Sequence, residues 1–225
     1  MSDKKRSSKV YKRASRSVRE AALIEATLVC LRKFGHSGVS VRRISAEAGV
    51  SVGLVNHYYP QKASLVATAY KQLSVSLLQS YQQRAELDGL SPRERLQHFF
   101  RAWFAPNQLT PEMFQVWLVF WGAAHSDAEM RSTYKQMRRL YRVNLERMLG
   151  DLRASPDVQP FDVRQAAIGL SALLDGLWLQ LGLDHTAFKP AEAIRACDYW
   201  VHALCMGGFP RSEQPSPLPL KPAGA

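Results

Sequence analysis

The chain is 225 residues long, carries a net charge of +11 and is 46% hydrophobic, enough for one compact domain or a small domain joined to a larger one. Three scattered cysteines, Cys30, Cys197 and Cys205, make no CxxC pair, which argues against a disulfide framework and for buried thiols in a reducing cytoplasm. The charge is uneven: residues 1–71 hold 14 Lys and Arg against 4 Asp and Glu, while the remainder is nearly neutral, and a basic segment beside a neutral body points to nucleic acid or an anionic surface.

Residues 1–16 are rich in Lys, Arg and Ser and are expected to be a disordered basic tail. No apolar core follows them as a secretory signal would require, and no run approaches the roughly 18 apolar residues of a membrane span. Helical periodicity then takes over. Val18–Phe34 sets Ala22, Ile24, Ala26, Leu28, Leu31 and Phe34 mostly to one side and stops at Gly35. Ser40 caps a short helix, Val41–Ala48, and Ser51 caps another, Val52–Tyr58, ending near Pro60. A longer helix is expected from Gln61 to Leu87. Ser91-Pro92 and Thr110-Pro111 open the next two, each a cap followed by proline at the first helical position. Asp127 begins a long helix to Arg153, Asp162 another to Leu183, and Pro190 the last to Met206. Residues 209–225 carry five prolines and read as a disordered tail. The fold class is all-α with about nine helices and no strand. The expected domains are a DNA-binding unit over residues 17–63 and a helical body over 64–208.

Ser40–Leu65 is the informative window. Val41, Ile44 and Ala48 form one apolar face, Ala48-Gly49-Val50-Ser51 is a turn, and Leu54 and Val55 give the second helix its inward face. Two short helices joined by a glycine-containing turn are a helix-turn-helix. Arg42, Arg43, Ser51, Val52, Gly53, Asn56, His57, Tyr58 and Lys62 would then face outward. Arg and Lys neutralise phosphates, and Ser, Tyr and helix-start N–H groups bind phosphate oxygens. Asn can pair bidentately with adenine, and an apolar side chain can touch a thymine methyl. Gly53 allows close approach of the helix to the groove.

The pattern Ile44-Ser45-x-x-Ala48-Gly49-Val50-Ser51-x-Gly53-x-Val55-x-x-Tyr58-Tyr59-x-x-Lys62-x-x-Leu65 resembles the DNA-binding domain of the TetR family. The resemblance implies a recognition helix starting just after Val50-Ser51. It also implies phosphate contacts from Tyr58 and Lys62, a base or phosphate contact from His57, and Ser40 at the start of the second helix. Ser45 stands where alanine is usual, and Tyr59 where phenylalanine is commoner. The segments 56–59, 116–121 and 169–179 resemble the choline-responsive, BetI-like branch of that family, over most of residues 18–206. The family implies a homodimer on a palindromic double-stranded operator, joined through helices 163–183 and 190–206, with a small-molecule effector.

In the body, Trp117 and Trp121 are spaced to share a helix face, with Phe114 one turn earlier. Leu174, Trp178 and Leu181 share another, with Asp175 at its edge. One reading is an aromatic cage in which Phe114, Trp117, Trp121, Tyr141, Trp178 and Asp175 hold a cationic ligand. The other is core packing, with Asp175 paired to an arginine such as Arg138, Arg139 or Arg142, or placed at the dimer interface. No phosphate loop, nucleophile elbow or metal-ligand spacing is present, so no catalytic residue, metal or cofactor is expected, and the chain does not read as an enzyme. The competing functions are a non-specific basic DNA-binding or nucleoid protein and a transcriptional activator with an unrelated ligand.

Overall fold

The computed structural model describes residues 16–85 and 89–208, so both tails expected to be disordered, save Arg16, lie outside the described residues, as does the predicted end of the fourth helix at Leu87. Nine α-helices follow in order among the described residues, with no strand: α1 (Arg16–Gly38), α2 (Val41–Glu47), α3 (Val52–Tyr58), α4 (Lys62–Ala85), α5 (Pro92–Trp103), α6 (Pro111–Ser126), α7 (Ala128–Arg153), α8 (Val163–Leu183) and α9 (Pro190–Cys205). A short 3-10 helix, Pro106–Gln108, precedes α6.

The expected caps start the helices. Ser91 Oγ accepts from Glu94 N while Ser91 N donates to the Glu94 carboxylate, a reciprocal capping box. Thr110 Oγ1 accepts from Met113 N, Asp127 Oδ1 from Met130 N, and Asp162 Oδ1 from Arg164 N and Gln165 N. Each satisfies backbone donors that the first turn of a helix leaves without an intrahelical acceptor.

The described residues divide into two compact units. The first comprises residues up to Gln72 together with Gln115–Ser132; the second comprises Leu73–Phe114 and Thr133 onward. The first unit thus holds all of the expected DNA-binding stretch, residues 17–63, together with the start of α4 and most of α6. Packing joins these pieces: Leu65, Val66, Ala67, Ala69 and Tyr70 of α4 are all buried, and the Tyr70 ring meets Phe120 and Trp117 of α6 at 5.1 and 5.9 Å.

In the first unit α1 packs on α2, and α2 on α3. Leu23, Ile24, Ala26, Thr27, Leu28, Cys30 and Leu31 are the buried residues of α1. Ala22 and Phe34, expected inside, are exposed. At Gly35 the backbone leaves helical geometry, with φ 60° and ψ −161°, so the first helical stretch stops there as expected and a second short one follows to Gly38. The Arg43 guanidinium lies 4.5 Å from the Phe34 ring and donates to Gly38 O, tying the turn beyond the kink to α2.

In the second unit α9 packs on α5 and α8. Phe99, Phe100, Leu96, Leu145, Leu149 and Leu170 are fully enclosed. By length and composition α8 could cross a membrane, which corrects the expectation that no run approaches such a span. Its face Ala166, Ala167, Leu170, Leu174, Trp178 and Leu181 is buried within the unit, as in the core helix of a globular domain. The three cysteines are buried free thiols, and burial holds all three above the ordinary thiol value, Cys197 at about 12.

Candidate DNA interface and effector site

Ser40 Oγ accepts from Arg43 N at 3.3 Å and starts α2; Ser51 Oγ accepts from Leu54 N at 3.2 Å and starts α3. Between them, Gly49 adopts φ +64°, Val50 N donates to Ser45 O and Gly49 N to Ala46 O. These two bonds make a Schellman ending, which needs a residue free of Cβ strain in the left-handed region. Beneath the turn, Ile44 and Val55 are fully buried. The buried Ser45 hydroxyl donates to Arg42 O, so the serine that replaces the usual alanine is satisfied locally.

Ser40, Arg42, Arg43, Ser51, Val52, Gly53, Asn56, His57 and Lys62 are all exposed, and Tyr58 is half-buried. Not all are equally available. Arg43 is committed to Phe34 and Gly38 as described above. Lys62 Nζ donates to Val39 O at 3.3 Å, which fixes the start of α4 against the turn before α2 and leaves the ammonium further donors for phosphate. His57 meets the Tyr58 ring edge-on at 5.5 Å, and the Arg16 guanidinium lies 5.8 Å from the same ring. Arg16, expected in the tail, begins α1. Its spacing to Glu20, with which it pairs at 2.9 Å, is the signal that marks it as helical.

The residues expected to form a cage fall into different settings. Trp117 belongs to the first unit, against Tyr70 and Phe120; Trp121 lies half-buried one turn later on α6. Phe114 and Trp178 are paired in the second unit at 5.2 Å, and Trp178 Nε1 donates to Gln108 O at 3.0 Å. Gly182 makes room for Phe114: a Cβ there would lie 2.1 Å from the ring. Asp175 accepts from Arg138 at 2.9 Å, so it has the arginine partner of the core-packing reading. Arg138 also donates to Ser171 Oγ at 2.6 Å and lies 5.2 Å from the Tyr141 ring.

Tyr141 is the centre of a second aromatic group. Its ring stacks on Trp103 at 5.2 Å and on Phe99 at 6.3 Å, and Tyr81 completes the group 5.5 Å from both Phe99 and Trp103. Tyr81 and Phe99 played no part in the expected site. The signal lay in Phe99 and Trp103, four apart on a strongly capped helix, and in Arg138 and Tyr141, three apart on another. Burial, despite the neighbouring Arg138, holds the Asp175 carboxyl above its ordinary value. Burial and the Asp175 charge hold the Tyr141 phenol well above its own. Both groups favour their neutral forms more than in water.

Residues 23–69 match the model for bacterial regulatory proteins of the tetR family, and residues 92–206 match that for the BetI-type transcriptional repressor C-terminal domain. The HTH-type transcriptional regulator BetI of Paraburkholderia xenovorans is 31% identical over 189 residues, covering 83% of this chain and 93% of that protein. A crystallised transcriptional regulator from Pseudomonas aeruginosa is 41% identical, with a TM-score of 0.78 over 87% of this chain and 94% of its own. A regulator from Saccharomonospora viridis, crystallised in complex with choline, shares the fold at 19% identity, with a TM-score of 0.72 over 83% of this chain and 97% of its own.

Proposed function

The chain belongs to the TetR family of bacterial transcriptional regulators and carries its BetI-type C-terminal domain, and from that premise we propose that it is a cytoplasmic homodimeric repressor released from a palindromic operator by a small molecule. It is a regulator of transcription and not an enzyme. The observation that carries the DNA reading is the capped two-helix unit: Ile44 and Val55 are enclosed while Arg42, Asn56 and His57 stand exposed beside them. α3 enters the major groove, Asn56 and Val52 meet base edges, and Lys62, Tyr58, Ser40 and Arg42 hold phosphates. Arg43 acts mainly by positioning. Two such heads dock in successive major grooves, with half-site centres about 34 Å apart or somewhat more.

An exposed stripe supports the dimer. On α8, Ile168, Ala172 and Leu183 are exposed and Gly176 and Leu179 half-buried, at spacings of four, four, three and four. Tyr199 and Met206 continue an exposed apolar surface on α9, each about two-thirds exposed. Uncovered apolar surface of this kind marks an interface. Effector and operator binding are reciprocally coupled. A cationic effector, the reading taken from the sequence, would have to displace Arg138 from Asp175, and the choline-bound relative at 19% identity supports the fold only.

The test is a titration of the full chain with the DNA upstream of its own gene, against bulk duplex at stated salt. Specific binding should exceed bulk binding by about a thousandfold or more, and equal affinities would favour a nucleoid protein. Lys62→Ala should reduce the salt slope by about one unit. A double Ile168→Glu and Leu183→Glu variant should sediment as a monomer and lose operator affinity; a dimer that survives the pair would place the interface elsewhere.

A further inference from the structure

Among the described residues, four buried side-chain polar atoms have no hydrogen-bond partner: Ser74 Oγ, Arg95 Nε, Trp103 Nε1 and Tyr141 OH. Two of the four belong to one stacked ring pair. Tyr141 is nine-tenths buried, and its ring lies 5.2 Å from that of Trp103. A buried donor without an acceptor is a cost to folding, and native interiors rarely carry one without a reason. Here two accompany each other within the second unit, on α5 and α7, with Tyr81 of α4 against Trp103. The cationic position beside them is already filled. Arg138 lies over the Tyr141 ring, its guanidinium bonded to Asp175 and to Ser171. The group therefore combines an apolar aromatic lining, two donors and an ion pair of no net charge. It lacks an acceptor for those donors, and its one carboxylate is engaged by Arg138.

We propose that the effector is received at the Tyr81–Trp103–Tyr141 rings, that it carries an oxygen acceptor for Trp103 Nε1–H and Tyr141 O–H, and that it bears no net positive charge. Its class is an acyl compound, a carboxylate or a neutral carbonyl, with an apolar body to lie against the rings. The inference rests on the reading of this protein as an effector-released repressor and moves the ligand site away from Trp117 and Trp121. A small cation meets two obstacles here: hydrogen donors in place of acceptors, and an arginine already on the carboxylate.

The probes are three series of equal chain length: straight-chain carboxylates, the amides of the same acids, and alkyl-trimethylammonium ions. Each is added to the full-length protein, alone and on its operator duplex. Binding is read as a shift in melting temperature and as release of labelled DNA. Carboxylates or amides should bind and release operator, while ammonium ions of equal length should not. Tyr141→Phe and Trp103→Phe should each weaken that binding about tenfold. Operator affinity without probe should stay at the wild-type value, and Tyr141→Phe should melt at the wild-type temperature or above, because it removes an unpartnered hydroxyl.

Four results would overturn the site: binding by the ammonium series alone, binding unaffected by both substitutions, no binding by any series, or a lower melting temperature in Tyr141→Phe with unchanged probe affinity. The last would show that the hydroxyl serves only a buried water. Failure of the unliganded protein to select any operator would instead sink the regulator reading and leave ligand binding at the rings to be judged by the melting shifts alone.

Discussion

In the first unit the residues proposed to contact DNA, Asn56, His57 and Lys62, stand exposed above a small enclosed core of Ile44, Val55 and Leu65. In the second unit the arrangement is reversed. Tyr141 is buried and Asp175, Arg138 and Trp103 are half-buried, while the exposed side chains on α8 and α9 include apolar ones such as Ile168, Leu183 and Tyr199. A surface that must meet a polyanion keeps its polar groups outside and needs only local caps and a few aliphatic contacts to hold them. A receptor for a small molecule has to bring polar groups into a dry interior, where each needs a partner or a ligand. Stability and recognition are thus separable in the head and entangled in the body.

The largest expected effect tests the head's core. Ile44→Ala should cost about 2–5 kcal/mol in denaturant unfolding, because a fully buried side chain is lost at the crossing of α2 with its neighbours. A loss below about 1 kcal/mol would mean that the helix-turn-helix is held from elsewhere. Next, Asn56→Ala should cost about 1–3 kcal/mol of discrimination between operator and a mismatched duplex, with unfolding unchanged. Equal weakening on all sequences would make Asn56 a phosphate contact. Ser51→Ala should then remove about 1 kcal/mol through the lost cap on Leu54 N, and circular dichroism melts would register it. A neutral result would shift the start of α3 to packing alone.

The smallest effect probes the body. Burial outweighs Arg138 and raises the Asp175 carboxyl, so the folded state binds this proton more tightly than the unfolded one. Its contribution should therefore favour folding at low pH and decline as pH rises from the ordinary value of 3.8 through the raised one. Asp175→Asn should flatten that decline, by less than about 1 kcal/mol since the pair is a third exposed to solvent. Should the difference between the two proteins run the other way, with the carboxylate gaining stability as pH rises, the Arg138 pair outweighs burial and the contrast with the head narrows.

Helix starts were legible because their chemistry is local. Ser40, Ser51, Ser91, Thr110, Asp127 and Asp162 each cap a backbone donor two or three residues on, and nothing distant is required. The burial pattern of α1 was less legible. Phe34 is apolar and in phase with the core stripe, yet the kink at Gly35 and the guanidinium of Arg43 leave it outside. Aromatic spacing along α6 suggested a cage from Phe114, Trp117 and Trp121, but a helix face reports only which side chains point together, not which neighbour receives them. Phe114 pairs with Trp178, while Trp117 meets Tyr70.

By itself the sequence determined the helix-turn-helix, its caps, its Gly49 turn and the basic balance around it. All of these follow from interactions within a few residues or from charge, which needs no folding to count. Only the tertiary structure decided the partner of Asp175, the grouping of Tyr81, Trp103 and Tyr141, and the packing of α6 on α4 within the first unit. Those are pairings between helices far apart in the chain, and spacing along one helix carries no information about the phase of the helix that will pack against it.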